Sequence, residues 1–341
     1  ISIDEMDERF FDYIFFGKGK AKNDTWKQIR NDCTYWYPVD INLGGKEHKT
    51  VHFPVFIMNH VAIMPEDKRP QGIFVHWWVT QKGKEKISKS KGGAEHVAEA
   101  AKIYGIDAMR LYYAHVGSPF VDIEWSAETV TKYKNKIANI YKFIKQLYTI
   151  DTSPSIQIDT WLESRIAEYI KQVMNAYNNF DLRVATNTIF YEIPQDINWY
   201  LKRNGGNKKV IAKMLDAWLQ LMTPITPHLT EELWSKQHNE LISTSILPHE
   251  SHFVQSDLHL AGEKLISNLV DDIQEILSVA NITPQKIIIY VAPQWKHTVL
   301  HKALDLSAES QSVNMGQLMK TIMSDFALKQ HAKKVSKFAG K

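Results

Sequence analysis

The spacing of apolar residues changes character along this chain, and each change predicts a different kind of element. Near the start, "IDEMDERFFDYIFF" carries apolar side chains at helical spacing and predicts a short amphipathic helix, followed by a Gly/Lys/Asn loop. "TYWYPVDINLGG" is aromatic and then turns at Pro38 and Gly44-Gly45. "VHFPVFIMNHVAIM" predicts a buried helix with Pro54 in its first turn. "GIFVHWWVTQ", Gly72 to Gln81, is rich in β-branched and aromatic residues and predicts a buried strand. The stretch "GKEKISKSKGG" follows directly, and behind it "AEHVAEAAKIYG" predicts a helix closed by Gly105. Asp107 is expected to cap a second helix, "AMRLYYAHVG".

From residue 126 the period is helical throughout. Helices are predicted at about 126–149, 159–178, 182–203 and 208–222, with a shorter one at 227–237. Trp161, Ile166, Ile170, Val173 and Tyr177 trace one apolar stripe, and Thr226 with Pro227 marks a helix start. This pattern reads as a bundle. Beyond residue 245, "GEKLISNLVDDIQEILSVAN" predicts a helix, "KIIIYVA" (Lys286 to Ala292) a strand, and "QWKHTVLHKAL" and "MGQLMKTIMSDF" two more helices. The fold class expected is α/β plus all-α. An α/β part covers 1–120, a helical bundle 121–245 and a small α/β domain 246–341.

A length of 341 residues fits two or three domains, and 44% hydrophobic with 23% charged residues is ordinary for a globular protein. The net charge of +3 places any nucleic-acid contact in local patches rather than over the whole surface. Cys33 is the only cysteine, so neither an internal disulfide nor a cysteine zinc site can form. One thiol fits a reducing, cytoplasmic setting. The chain opens on Ile1 without a signal-peptide pattern and holds no apolar run long enough for a membrane span, so a non-membrane segment of a longer protein is expected.

The chemistry concentrates in the lysine stretch. Lys82, Lys84, Lys86, Lys89 and Lys91 face only Glu85. A charge run of this kind is commonly a solvated face. Here the run leaves a strand directly, Lys86 and Lys89 alternate with Ser88 and Ser90, and Gly92-Gly93 lets the backbone fold before a helix whose N-terminus favours anions. Flexible ammonium groups suit a polyphosphate that changes shape during reaction. The glycines follow the lysines, which excludes a Walker loop.

"Lys86-Ile87-Ser88-Lys89-Ser90" resembles the KMSKS signature of class I aminoacyl-tRNA synthetases, with Ile in place of Met. "YWYPVD" (35–40), "GGKEH" with His52 downstream, and "NHVAIMP" (59–65) resemble leucyl-tRNA synthetases of the archaeal and eukaryotic cytoplasmic type. "DLRVATNTIFYEI" (181–193) and "PITPHLTEELW" (224–234) look like the helical anticodon-binding domain of that family, and residues 270–296 are similar to its C-terminal region. The resemblance implies a Rossmann-type catalytic domain represented by its second half, then the bundle, then a tRNA-contacting domain. It implies a ligase that activates leucine with ATP and transfers it to its tRNA, with Mg2+ accompanying ATP and no zinc in this segment. It further implies a cytoplasmic protein, monomeric at full length, with tRNA(Leu), leucine and ATP as partners.

On the same resemblance, Lys86 and Lys89 hold the triphosphate and the leaving pyrophosphate, with Ser88 and Ser90 donating hydrogen bonds. Gly45-Lys46-Glu47 corresponds to the Gly-x-Asp/Glu element near the ATP ribose, Glu47 standing where archaeal relatives usually have Asp. His52 lies near the adenylate or is a structural histidine. His76 precedes the loop and its backbone lines the adenine, although Trp77 stands where many relatives have Gly. Arg183, Lys202, Arg203, Lys208, Lys209 and the basic tail Lys329 to Lys341 are candidate tRNA contacts. The class also uses a His-x-Gly-His motif and, in this family, an inserted editing domain. Neither is recognisable here, so the expectation is a C-terminal segment that does not form leucyl-adenylate alone. The rival readings are an isoleucyl, valyl or methionyl enzyme of the same class, "WWV" resembling the methionine type, and a non-catalytic tRNA-binding module.

Overall fold

The computed structural model describes residues 1–80, 96–117, 121–150, 157–310 and 314–339. Contacts divide the chain into two units, Ile1–Ser267 and Asn268–Lys341. The lysine stretch lies outside the described residues, and with it Lys86, Ser88, Lys89 and Ser90.

The first unit opens with a short helix α1 (Glu8–Phe11), a π-turn at Asp12–Phe16 and helix α2 (Asp24–Trp36). Phe10, Ile14 and Trp26 form a small core of their own. Arg30 donates from Nη1 to the carbonyls of Tyr13 and Ile14 at 2.8 and 3.0 Å, tying α2 to the π-turn. The aromatic run around residue 35, read as the approach to a turn, is the end of α2: Tyr35 and Trp36 sit in its last turn and are largely exposed.

Two short parallel pairs make up the strands of the described residues. β1 (Asn42–Gly45) pairs with β2 (Ile73–His76), with Asn42 opposite Ile73 and Gly45 opposite His76. β3 (Val79–Thr80) pairs with β4 (Ile123–Glu124). The single strand expected over 72–81 is thus broken at Trp77-Trp78. There the ladder changes partner, because Trp78 presents its N–H to the Asp122 carboxylate and its carbonyl to the Ile123 N–H.

Helix α3 (His52–Ile63) forms where expected, with Pro54 in the first turn. Its burial does not match expectation. Phe53 is the buried residue of α3, whereas Val55, Ile57, Met58, Val61 and Ile63 are exposed within this unit. An apolar run without a polar face signals burial in sequence. The elements packed on α3 in this unit bury Phe53 fully and Phe56 and His60 in part.

Helices α4 (Val97–Tyr104), α5 (Ile106–Val116), α6 (Ala127–Leu147), α7 (Gln157–Asn178), α8 (Leu182–Asn187), α9 (Ile193–Lys202), α10 (Lys208–Met222) and α11 (Pro227–Trp234) share one continuous core. Trp218, Tyr200, Phe190, Leu162 and Ile170 lie at its centre. The long helix expected over 182–203 is interrupted by a π-turn at Thr188–Glu192. Pro194 has no N–H to give to the carbonyl four residues back, so the ladder widens there instead of ending.

Asp107 does not cap the helix it was expected to cap. Gly105, at φ +86°, occupies the N-cap of α5, a conformation open to glycine, and Asp107 lies one turn inside, buried. Its carboxylate reaches the start of α11, accepting from the Leu229 N–H at 2.6 Å and the His228 N–H at 3.4 Å. Thr226, the local cap candidate, turns its hydroxyl towards the Met222 carbonyl at 3.5 Å and leaves the role to Asp107. From the same face of α5, Arg110 donates to the carbonyls of Pro224 and Ile225 at 2.7 and 3.0 Å. Asp107→Ala is expected to lower the stability of this unit by about 2 kcal/mol, because two helix-end N–H groups lose their acceptor away from water. A drop in the chemical-denaturation midpoint with unchanged slope is the expected record; an unchanged midpoint would refute the assignment.

The boundary between units falls within α12 (Asp257–Ala280). In the second unit, α13 (Gln294–Ser310), α14 (Met315–Ser324), α15 (Phe326–Lys329) and α16 (Ala332–Ala339) close over Val299, Leu318, Ile322, Leu328 and Val335. The strand expected at 286–292 is absent: Ile287, Ile288, Ile289, Tyr290 and Val291 are exposed and carry no ladder. β-propensity becomes a strand only against a neighbour, and no strand is present among the described residues of this unit. The small α/β domain expected here shows helices and irregular chain among its described residues.

Candidate functional site

The two paired strands β1 and β2 end together, with Gly45 beside His76, at their carboxyl ends. In open parallel sheets ligands bind at that edge. Both β1 glycines are buried and closely approached. A Cβ on Gly44 would stand 2.6 Å from the Phe53 ring and one on Gly45 would stand 2.8 Å from Glu47 Oε2. The turn that follows is held against the tryptophan pair. Lys46 Nζ lies 3.7 Å from the centre of the Trp77 ring and 5.0 Å from that of Trp78. Trp78 Nε1 donates to Glu47 Oε2 at 2.7 Å. The Gly-Lys-Glu turn and the end of the strand segment therefore form one clamp. Lys46, the variable position of the Gly-x-Glu element, supplies a contact that the sequence pattern did not single out.

His52 begins α3 and is exposed. Its ring lies 5.6 Å from that of His48 and is stacked on Phe56 with centroids 6.4 Å apart. His76 is exposed, and its Nδ1 lies 2.8 Å from the Trp77 carbonyl. The structure thus brings Gly45, Glu47 and His76 to one strand edge. His52 joins them through His48 and Phe53, whose ring also meets Gly44. Lys86, Ser88, Lys89 and Ser90 follow that edge in sequence and lie outside the described residues.

His76 has a second neighbourhood. A cleft of about 640 Å³ is lined by Ile41, Leu43, Phe74 and His76 of the sheet, Tyr113 and Ile123, and the turn from Asn179 to Arg183. Phe74 and Phe180 bridge it with ring centroids 4.8 Å apart. A residue expected at the nucleotide and a residue expected at tRNA, His76 and Arg183, therefore share one cleft.

The other cationic candidates are more scattered. Arg203 Nε pairs with Glu263 Oε1 at 2.6 Å, and the same oxygen accepts from Trp199 Nε1 at 2.8 Å, so this arginine is committed to joining α9 with α12. Lys202 lies over Trp199 at 5.8 Å. Lys208 and Lys209 are exposed on the first turn of α10. The tail lysines Lys333, Lys334 and Lys337 are exposed on α16, whose Val335 faces the core of its unit.

A further cluster surrounds Arg183. His115 Nδ1 lies 3.1 Å from Thr186 Oγ1, and Lys136 Nζ lies 4.0 Å from the centre of the Tyr191 ring. The His115 ring is 5.3 Å from Tyr191 and 5.7 Å from Tyr133. Burial, and then the charges of Arg183 and Lys136, hold the His115 imidazole below its ordinary pKa; burial does the same to the Lys136 ammonium. Among the described residues neither Lys136 nor Arg183 has an ion-pair partner. Arg183 and Tyr191 share the stretch 181–193, but His115 and Lys136 lie far from it in sequence, and no local pattern announces those two.

Among the described residues no group of three or more His, Cys, Asp or Glu is gathered as metal ligands, and no helix is long and apolar enough to cross a membrane.

With this geometry in view, two family models match. One, described as tRNA synthetases class I (M), covers residues 13–146; the other, the anticodon-binding domain of tRNA ligase, covers residues 159–289. The chain is a class I tRNA synthetase segment joined to an anticodon-binding domain. Compared along its whole length, it is 35% identical to the leucine–tRNA ligase of Archaeoglobus fulgidus, 32% to that of Methanosarcina barkeri and, over 99% of the chain, 32% to that of Pyrococcus horikoshii. It is homologous to leucine–tRNA ligases, and it spans 36% of the length of each of these three relatives. The crystal structure of the ternary complex of Agrobacterium radiobacter K84 agnB2 LeuRS-tRNA-LeuAMS superposes on 64% of this chain and 30% of its own. The TM-score is 0.55 at 20% identity, a likeness of fold.

Proposed function

We propose that this chain is the part of a leucine–tRNA ligase that grips the ATP phosphates and docks the tRNA. The ligase forms leucyl-adenylate from leucine and ATP and then charges tRNA(Leu). The observation that carries this reading is the match to leucine–tRNA ligases over the whole of this chain, with the KMSKS-like stretch following β3 in sequence. Adenylation is attack of the leucine carboxylate on the α-phosphate, with pyrophosphate leaving. It needs little proton transfer, so the catalytic work is positioning and neutralisation of charge. Lys86 and Lys89 serve as the cationic clamp, with Ser88 and Ser90 as donors. Gly45 lets the chain approach the nucleotide closely, Glu47 faces the ribose, and His52 and His76 flank the adenine side. Mg2+ enters with ATP, bound through its phosphates. The enzyme acts in the cytoplasm, and as a monomer when whole. Residues 1–120 serve as the catalytic half-fold, 121–245 as the bundle along the tRNA, and 246–341 as a further tRNA contact.

The sequence contains no His-x-Gly-His tetrapeptide. The purified 341-residue chain is therefore expected to show no leucine-dependent ATP–pyrophosphate exchange above background. Exchange at the rate of a complete synthetase would overturn the expectation that adenylation needs a His-x-Gly-His motif beside the lysine stretch. An amino-acid panel run on the whole ligase separates leucine from isoleucine, valine and methionine.

A further inference from the structure

The cluster around Arg183 carries chemistry that the adenylation site does not use. Arg183 and Thr186 are three residues apart on α8 and share a face. Thr186 Oγ1 donates its proton to the Leu182 carbonyl at 2.7 Å. It can therefore only accept from His115, so in the neutral imidazole Nδ1 carries the proton and Nε2 keeps a lone pair. Among the described residues Nε2 has no hydrogen-bond partner. Among the described residues neither Asp181 nor Glu192 forms an ion pair with Arg183 or Lys136. Asp181 caps α8 through the Val184 N–H at 3.2 Å, and Glu192 accepts from Asn187 at 2.7 Å. What remains, among the described residues, is two cations without an ion-pair partner, an aromatic ring that is 39% exposed at Tyr191, and the His115 acceptor nitrogen beside that ring.

We propose that Arg183, Lys136, Tyr191 and His115 form a binding site for one ribonucleotide of a looped or single-stranded RNA. Arg183 and Lys136 take the phosphodiester, Tyr191 stacks on the base, and His115 Nε2 accepts from the ribose 2′-hydroxyl. Each role matches a recognised mode of RNA contact: cations for phosphate, an aromatic face for any base, and a hydrogen bond to the group that separates RNA from DNA. Given that the chain docks tRNA, as proposed above, the site is a specific place on the bundle where the tRNA backbone is held. It is distinct from Lys208 and Lys209.

The test measures binding of a labelled leucine tRNA transcript to the 341-residue chain over a series of salt concentrations. Lys136→Gln and Arg183→Gln are each expected to weaken binding roughly tenfold and to reduce the log–log salt slope by about 0.7–0.9. Tyr191→Leu is expected to weaken binding at least about fivefold. Lys136→Arg and Tyr191→Phe keep the charge and the ring and should bind as the parent does. A single-stranded DNA should bind more weakly than a single-stranded RNA of the same sequence, and His115→Phe should narrow that difference. Parent binding that none of these substitutions alters would overturn this site and leave the tRNA reading intact. A parent that binds no tRNA would overturn both. For variants that do not fold, the His115 imidazole resonances of the parent decide. They should shift on addition of tRNA; a shift produced by inorganic phosphate alone, and not by tRNA, would make this a small-anion site and sink the RNA assignment.

Discussion

Asp159→Ala is expected to cost the first unit about 3 kcal/mol, because it strips the acceptor from a buried group and a partly buried one at once. Asp159 lies at the start of α7 and is 3% exposed. Its Oδ1 accepts from the Tyr200 hydroxyl at 2.6 Å and its Oδ2 from Asn207 Nδ2 at 2.9 Å. The Asn207 N–H in turn donates to the Tyr200 hydroxyl oxygen at 3.1 Å, so the three residues fix the turn between α9 and α10 to the start of α7. Asp159→Asn is expected to rescue only in part, because its single oxygen can accept from Tyr200 or from Asn207 Nδ2 but not from both. In a unit of this size the alanine variant should melt about 6–12 °C below the parent. An unchanged melting temperature would mean that the network contributes nothing net.

In the complete ligase, Lys89→Ala is expected to slow leucine-dependent ATP–pyrophosphate exchange by about 10²–10³, with Lys86→Ala in the same range. Removing one preorganised donor from a developing phosphate charge typically costs that much. The loss should appear mainly in kcat, because the charge on the leaving pyrophosphate develops only as the reaction proceeds. Substitution of Lys82, Lys84 or Lys91 should leave the rate near that of the parent, since a solvated lysine carries no specific charge. A loss shared equally by all five lysines would show a diffuse cationic field rather than a two-lysine clamp.

The helices of the bundle could be read from sequence because each repeats its apolar stripe over several turns and stops at a strong signal, such as Asn207 before α10 or Pro227 at the start of α11. β1 escaped notice for the opposite reason. "Asn42-Leu43-Gly44-Gly45" has no β-branched residue, and its strand identity comes from pairing with Ile73–His76, thirty residues on. The reverse error occurred at 286–292, where a strong propensity has no neighbouring strand to satisfy it. Asp107 was legible as a capping residue but not as the cap of a helix 121 residues downstream. Within the candidate site, the Gly-x-Glu and lysine elements carry their chemistry in short stretches. The grip of Lys46 and Trp78 on that turn, and the gathering of His115, Lys136 and Tyr191 around Arg183, exist only once the chain has folded.

The reach of Asp107 also bears on the order of events during synthesis. Its partner N–H at Leu229 lies 122 residues later. At ordinary translation speeds about 6–24 s pass between the appearance of the two on the ribosome. During that interval α5 exists with a carboxylate whose acceptor capacity points at nothing yet made. When residues 227–229 emerge, the first turn of α11 meets a cap already in place. The first turn of α11 is thus capped from outside itself, by a residue that left the ribosome more than a hundred peptide bonds earlier.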